Sequence, residues 1–315
     1  MEIHEAVGLG PTRQAWTVAP GYLAKRRALD RVMRVALFFP AALSVFVTTA
    51  IVFILVSESW GFFAKVPLIE FLTDTQWTPV FAQPRFGILP LLTATFWTTG
   101  IALAVALPLG ALLMIYLSEY ASKAVRETVK PVLELLAGVP TVVYGYFALL
   151  FLTPLLQTLI PELGGLNLLV PGIVLGIMIL PTVVSISEDA MRAVPASLRE
   201  GGYALGMTRW QVALRVVVPG ALSGIIAAYL LGMSRAIGET MVLAIAAGQN
   251  PNLTANPLEG AATITAYIVQ MSLGDLPHGS LEYQSIFAVG LALFVITLLF
   301  NVAGFFLQRR FREAY

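Results

Sequence analysis

Long uncharged runs of apolar residues dominate the chain and predict an all-helical membrane protein. Six of these runs reach or nearly reach the roughly 20 residues that a helix needs to cross a bilayer. They are Val35–Val56, Phe86–Ser118, Leu135–Pro161, Leu163–Ser187, Val216–Ser234 and Tyr283–Gln308. The fifth continues past two charged residues, Arg235 and Glu239, to about Gly248. We therefore expect six transmembrane helices.

The basic residues between these runs predict the orientation of the chain. With both termini in the cytoplasm, only Lys65 and Arg85 lie outside, and Arg235 lies within the membrane. The other basic residues are then cytoplasmic, as the positive-inside rule requires; they are Arg13, Lys25, Arg26, Arg27, Arg31, Arg34, Lys123, Arg126, Lys130, Arg192, Arg199, Arg209, Arg215, Arg309, Arg310 and Arg312. The expected topology is six spans, N-in and C-in.

The composition agrees with the membrane class. The 315 residues are 58% hydrophobic and 12% charged, with a mean hydropathy of +0.83. A soluble domain of this length does not bury so much apolar surface. The sequence has no cysteine, which excludes disulfides and thiolate metal sites. We expect a cytoplasmic N-terminal tail over 1–34, a transmembrane domain over 35–310 and a short cytoplasmic tail over 311–315; the N-terminal tail lacks the pattern of a cleaved signal peptide.

A proline in the third span marks an expected kink. Pro140 follows Gly138 and precedes Thr141 and Tyr144, and prolines inside membrane helices usually bend them. Such a kink would widen a cavity lined by Thr141 and Tyr144, or it would be ordinary packing geometry. The pattern alone leaves both interpretations open.

The segment between the fourth and fifth spans predicts two short cytoplasmic helices. Ser197 and Glu200 are spaced as a capping box, which indicates a helix over Leu198–Leu205. Gly206 suits a backbone with positive φ at the end of that helix. Thr208 would begin the second helix. The hairpin is either a plain surface connection between spans or an element that docks on a partner.

The same segment resembles the EAA loop of ABC importer permeases. The family pattern is EAA-x3-G-x9-I-x-LP, and residues 200–219 read EGGYALGMTRWQVALRVVVP. Glu200, Gly206 and Pro219 match in type and spacing, and Gly201 and Gly202 replace the two alanines. In that family the loop sits in a cleft of a cytoplasmic ATPase subunit. The resemblance therefore implies that about 196–219 is an ATPase coupling loop.

Two charges in the fifth span are the candidate substrate site. Arg235 and Glu239 are four residues apart, so on a continuous helix they would share a face and pair. A charge in the bilayer interior is costly, which makes an ionisable residue there a functional hypothesis, with mutual neutralisation as the structural alternative. The planar fork of an arginine suits a tetrahedral oxyanion. A row of small residues precedes the pair and would let another helix approach closely; it consists of Ala221, Gly224, Ala228 and Gly232.

The sequence RAIGETM over 235–241 resembles the corresponding stretch of phosphate-specific ABC importer permeases. The stretches LAGVPTVVYGYFAL over 136–149 and TAYIVQMSLGD over 265–275 agree with it. The sequence AAGQNPN after RAIGETM, and the long loop between the first two spans, look more like the C-type subunit (PstC) than the A-type partner (PstA). The resemblance implies a MetI-like permease fold in the bacterial inner membrane. It places Arg235, Glu239, Thr240, Thr141 and Tyr144 on the substrate pathway.

The implied function is transport rather than catalysis. The chain would form half of a phosphate pathway, beside a PstA-type permease, a dimer of cytoplasmic ATPase subunits and a periplasmic phosphate-binding protein. None of its four lysines follows a glycine, so no P-loop is present, and ATP would be hydrolysed by the partner. We expect no cofactor, metal or nucleic acid. The alternatives are another oxyanion (sulfate, molybdate or phosphonate), a secondary transporter working without an ATPase, or a non-transporting scaffold.

Overall fold

The computed structural model describes the backbone of residues 20–310 and the side chains of residues 29–310. Residues 1–19 of the predicted N-terminal tail over 1–34, and the predicted C-terminal tail over 311–315, lie outside the described residues. The described part of the chain is helical apart from turns, loops and one isolated bridge between Trp77 and Phe86. This confirms the predicted all-helical class.

Fourteen α-helical segments occur in the described part of the chain. They are α1 (Pro20–Phe63), α2 (Leu68–Thr73), α3 (Leu89–Ile115), α4 (Lys123–Ala137), α5 (Thr141–Phe147), α6 (Thr153–Gln157), α7 (Leu169–Arg192), α8 (Ala196–Ala204), α9 (Arg209–Val212), α10 (Val218–Gly220), α11 (Leu222–Ile237), α12 (Met241–Ala246), α13 (Ile264–Ser272) and α14 (Leu281–Arg310). Three π-helical turns join neighbouring segments, at Tyr116–Tyr120, Ala148–Leu152 and Ala213–Val217.

The chain divides into two compact units, residues 1–54 and 55–315. The first unit carries most of α1, which begins at Pro20, so that part of the predicted N-terminal tail is helical. None of its side chains between residues 29 and 54 is buried. The second unit contains the helices from α2 onward and the buried core.

Four helices in the described residues are long and apolar enough to cross a membrane: Leu29–Phe63, Leu89–Tyr120, Leu169–Arg192 and Leu281–Arg310. Two bent pairs raise the number to six if each pair forms one span. Lys123–Ala137 meets Thr141–Gln157 at 87°, and Arg209–Gly220 meets Leu222–Ile237 at 73°. The expected count of six therefore stays a prediction that depends on these two bends.

The first bend confirms the kink that Pro140 predicts in the third span. Leu135 belongs to α4, an amphipathic helix without a buried side chain, and the apolar run turns only after Gly138. A proline at position 140 removes a backbone donor and disfavours helical geometry at the residue before it, so the helix breaks here.

The packing of α11 on α7 confirms the predicted close helix approach. A Cβ atom added to Gly224 would lie 2.4 Å from Cβ of Ala190, and one added to Gly232 would lie 2.7 Å from Val183. Helices without side chains at the contact pack closely in membranes, where dispersion forces replace the hydrophobic drive. Helix α7 also packs on α3 and α4, so it forms the centre of the second unit.

Candidate functional site

Arg235 lies in the last turn of α11 and Glu239 lies beyond it. Helix α11 ends at Ile237, and Gly238, Glu239 and Thr240 form a break before α12. The predicted pairing of Arg235 with Glu239 is wrong: no ion pair joins them among the described residues. Their spacing of four would place them on one face only if the helix continued through the break.

The guanidinium of Arg235 points to α7 instead. Its Nη1 lies 3.5 Å from Oγ1 of Thr182, and Arg235 is half-buried. This distance marks a weak hydrogen bond, so the guanidinium keeps most of its donors for another acceptor. Thr182 follows Pro181 in the middle of a long apolar helix, where nothing in the sequence distinguishes it as a site residue.

Glu239 stabilises the break between α11 and α12. Its side chain is 8% exposed, and Oε1 accepts a hydrogen bond from the amide of Val242 at 3.4 Å. Its carbonyl oxygen accepts one from Oγ1 of Thr265 in α13 at 2.6 Å. The hydroxyl of Thr240 donates to the carbonyl of Gly238 at 3.3 Å. The break is therefore held by its own side chains and by α13.

Tyr144 of α5 lies within electrostatic reach of Arg235. Its hydroxyl donates to the carbonyl of Leu136 at 2.9 Å, across the bend that separates α4 from α5. Thr141 precedes it by one helical turn and is half-buried. A Cβ on Gly145 would lie 3.3 Å from the carbonyl oxygen of Met241, so α5 and α12 are in close contact. The structure thus groups Tyr144, Arg235 and the break around one region.

The predicted coupling loop forms two short helices at the end of α7. The capping box expected at Ser197 and Glu200 is wrong, because Pro195 is the N-cap and α8 begins at Ala196 without a side-chain cap. A capping box is present at the second helix instead, between Thr208 and Gln211. Thr208 therefore begins α9, as the sequence predicted.

Gly206 has the predicted positive φ, at 77°. Its amide donates to the carbonyl of Tyr203 at 2.9 Å, and the amide of Met207 donates to the carbonyl of Gly202 at 3.1 Å. These two bonds form a Schellman motif, which ends α8 and satisfies its free carbonyls. The glycine is needed because a side chain disfavours this backbone conformation.

The coupling loop presents both apolar and acidic residues to solvent. Leu205 is 82% exposed and Trp210 is 51% exposed. Glu200, Gly201 and Pro219 are also exposed, whereas Gly202 is buried against Val212. Exposed large apolar side chains outside the spans are typical of a surface that binds another protein. The opposite side packs on the ends of α3 and α7 through Met191, Val194, Val212, Ala213, Val217 and Ile225.

A buried ion cluster close to this loop is not evident from the sequence. Glu188 of α7 is fully buried and lies 2.6 Å from Nζ of Lys130 and 3.4 Å from Nε of Arg126. Arg199 of α8 pairs with Glu119 at 3.2 Å. The spacing of four between Arg126 and Lys130, and between Glu188 and Arg192, was the available signal. It places each pair on one helical face.

Comparisons with known proteins show which family the chain resembles. Residues 106–313 match the family model described as binding-protein-dependent transport system inner membrane component. The chain is 40% identical to the probable ABC transporter permease protein YqgH of Bacillus subtilis over 77% of this chain and 78% of the relative. It is 36% identical to the phosphate transport system permease protein PstC of Mesorhizobium japonicum over 76% and 78%. For PstC of Haemophilus influenzae the identity is 34% over 81% and 86%.

Two groups of solved structures share the fold. A bacterial ABC transporter that imports the acidic polysaccharide alginate aligns with a TM-score of 0.61 at 17% identity, over 91% of this chain and all of the other. The MetNI methionine ABC transporter aligns with a TM-score of 0.54 at 19% identity, over 72% and 95%. The chain is therefore a MetI-like permease and belongs to the family of binding-protein-dependent transport system inner membrane components.

Proposed function

We propose that this chain is the PstC-type subunit of an ATP-driven importer of inorganic phosphate. Several relatives named as phosphate transport permeases support the substrate, since they match about four fifths of the chain. The B. subtilis relative carries no substrate in its name, and the structural neighbours import methionine and alginate. The proposal therefore depends most on one observation, the position of Arg235.

Arg235 is the group that would hold the passing anion. Its side chain is half-buried and has a weak bond to Thr182, without an acidic partner among the described residues. A guanidinium carries five donors in a planar fork and can give two parallel hydrogen bonds to one oxyanion. A buried cation without a counter-ion is costly. A substrate of opposite charge offsets that cost while it is bound.

Glu239, Thr240, Thr141 and Tyr144 would line the same pathway. Glu239 sets the shape of the break through Val242. Its carboxylate accepts hydrogen bonds only, so it would favour an anion that still carries a proton, such as hydrogen phosphate, over sulfate. The hydroxyls of Thr141 and Thr240 are the further candidate donors. Tyr144 would act chiefly on the bend, because its hydroxyl bonds to Leu136.

The exposed face of the coupling loop would receive a cytoplasmic ATPase subunit. Leu205 and Trp210 supply apolar contact area, and Glu200 supplies a negative charge at its edge. The other proposed partners are a PstA-type permease and a periplasmic phosphate-binding protein. The chain would contribute no catalytic group to ATP hydrolysis and would carry no cofactor.

Uptake by the reconstituted complex tests both substrate and energy source. We expect labelled phosphate uptake that requires ATP hydrolysis, persists when ion gradients are collapsed, and is not reduced by tenfold excesses of sulfate, molybdate or phosphonate. Preferred uptake of one competitor would assign the chain to that oxyanion. Uptake that follows an ion gradient without ATP would favour the secondary transporter instead.

A further inference from the structure

The carboxylate of Glu188 is fully buried and is shared by three basic side chains. Lys130 lies at 2.6 Å, Arg126 at 3.4 Å and Arg192 at 3.7 Å. Burial of a charge is unfavourable unless close partners and hydrogen bonds compensate. The site described above does not use Glu188. A buried carboxylate with three basic partners is therefore a candidate for a separate function.

Helix α7 connects this cluster to the candidate substrate site. Thr182, which contacts Arg235, precedes Glu188 by six residues in the same helix. Six residues of α-helix span about 9 Å. The cluster therefore lies on α7 between the contact with Arg235 and the coupling loop that follows the helix.

Arg126 joins α4 and α7 to the end of α3. Besides its contact with Glu188, its Nε donates to the carbonyl of Leu117 at 2.9 Å, and Nη2 donates to that of Ser118 at 3.3 Å. Both carbonyls belong to the π-helical turn at Tyr116–Tyr120. A planar guanidinium can hold several acceptors in fixed directions at once. One side chain thus fixes three elements to one another.

Arg199 attaches the coupling loop to the same π-helical turn. It pairs with Glu119, whose side chain is 6% exposed, at 3.2 Å. It also donates to the carbonyls of Val194 at 2.6 Å and Met191 at 2.8 Å, at the end of α7. Helix α8 is therefore connected by ion pairs and hydrogen bonds to the turn that Arg126 holds on its other side.

We propose that Glu188 is a positioning residue that transmits movement of the coupling loop to α5. Glu188, Arg126, Lys130, Arg199 and Glu119 form an ionic clamp that makes α4, α7, α8 and the end of α3 move together. Helix α4 leads through the 87° bend into α5, which carries Thr141 and Tyr144. A push on α8 then changes the position of these side chains near Arg235. This inference rests on the proposed function, because it requires an ATPase to act on α8.

The absence of cysteine from the sequence permits a direct test. Ser197→Cys in α8 and Val143→Cys in α5 are both exposed positions, and spin labels there would be the only ones in this chain. The distance between the labels is measured in the reconstituted complex, free of nucleotide and trapped with ATP and vanadate. Phosphate taken up per ATP hydrolysed is measured on the same preparations.

Three variants separate transmission from stability. Glu188→Asp keeps the charge and shortens the side chain. Glu188→Gln combined with Lys130→Gln removes the charge and its nearest basic partner, so that less uncompensated charge remains. Glu127→Gln is the matched control, because Glu127 is an exposed carboxylate of α4 that pairs with exposed Lys123 at 3.7 Å.

We expect the nucleotide-dependent distance change to be full in the wild type and in Glu127→Gln, reduced in Glu188→Asp, and lost in the double variant. Uptake per ATP should fall at least tenfold in the double variant. A wild-type distance change in that variant, or none in the wild type, would overturn the inference. Movement in a wild-type complex that takes up no phosphate would contradict the substrate proposed above, and its loss in the double variant would still support the role of Glu188.

Discussion

Arg235 and Glu239 are four residues apart in the sequence but do not share a helix, because α11 ends at Ile237 and Glu239 lies in the following break. Each charge therefore has its own surroundings: Thr182 for Arg235, and the amide of Val242 for Glu239. The two residues should act separately when they are substituted.

The first prediction follows from this separation. Arg235→Ala should reduce phosphate uptake by at least a hundredfold while the complex still assembles, and Arg235→Lys should fail in part, since a point charge cannot replace the planar fork. Glu239→Gln should slow uptake without loss of assembly. The double alanine variant should be no better than Arg235→Ala. Uptake of labelled phosphate and recovery of the subunits are measured on each variant. Higher uptake in the double variant than in Arg235→Ala would show that the two charges neutralise each other.

The coupling loop gives a prediction about its glycines. Gly206→Val should uncouple ATP hydrolysis from uptake, because a left-handed backbone costs a residue with a side chain about 1–2 kcal/mol, whereas Gly206→Asn should be tolerated. Gly201→Ala should also be tolerated, since no atom lies within 4 Å of the added Cβ. In the Gly201→Ala variant, helix α8 should be more stable by about 0.5–1 kcal/mol, because alanine favours a helix interior over glycine. The measurement is phosphate uptake per ATP hydrolysed. A normal ratio in Gly206→Val would show that the loop only connects two helices and does not couple ATP hydrolysis to uptake.

Packing of α11 on α7 supports a third prediction. Gly224→Ala should lower the recovery and thermal stability of the protein in detergent, because the new Cβ would meet Cβ of Ala190 at 2.4 Å. Overpacking of this kind costs about 1–3 kcal/mol. Gly100→Ala in α3 is the control, as nothing lies within 4 Å of its added Cβ. Equal melting temperatures for the two variants would contradict the close approach.

The loop that contains Asp74 should lose stability on acidification. Burial raises the pKa of Asp74. Hydrogen bonds from Arg85 and from the amide of Gln76, together with the positive charge of Arg85, have the larger opposite effect and hold the pKa below its ordinary value. A carboxyl with a lowered folded pKa stabilises the protein above its unfolded pKa of about 3.9, and this contribution is lost as the pH falls through the folded value. The melting temperature of the wild type should exceed that of Asp74→Asn at pH 6, and the difference should shrink toward pH 3. A difference that is independent of pH would contradict the role of the ionised carboxylate.

Topology is tested by single reporter fusions. Fusions after Lys130 and after Arg209 should report the cytoplasm, and those after Asp74 and after Asn256 should report the outside, if each bent pair forms one span. An external signal at Arg209 would contradict the six-span topology and the coupling proposal together.

Sequence patterns predicted the elements of this fold better than their breaks. Gly224 and Gly232 indicated a helix contact because the absence of a side chain is itself the cause of close packing. The break at Gly238 was missed, since an isolated glycine in an apolar run does not tell a helix end from a helix interior. The ion cluster at Glu188 was missed for a different reason: its partners Lys130 and Arg126 are far away in sequence, and only the fold brings them together.

The π-helical turn at Ala213–Val217 places one extra residue in the second half of the coupling loop, between Trp210 and α11. Such turns are rare, and they are frequent at functional sites. Each residue of an α-helix advances the direction of its side chains by about 100°, from 3.6 residues per turn. Deletion of a single residue here would restore a regular α-helix. It would also rotate the residues before the turn, about the helix axis, relative to the residues after it. Trp210 and Leu205 would then face a different side of the protein while the membrane helices kept their register. The number of residues in this turn thus helps to set the direction in which the loop faces.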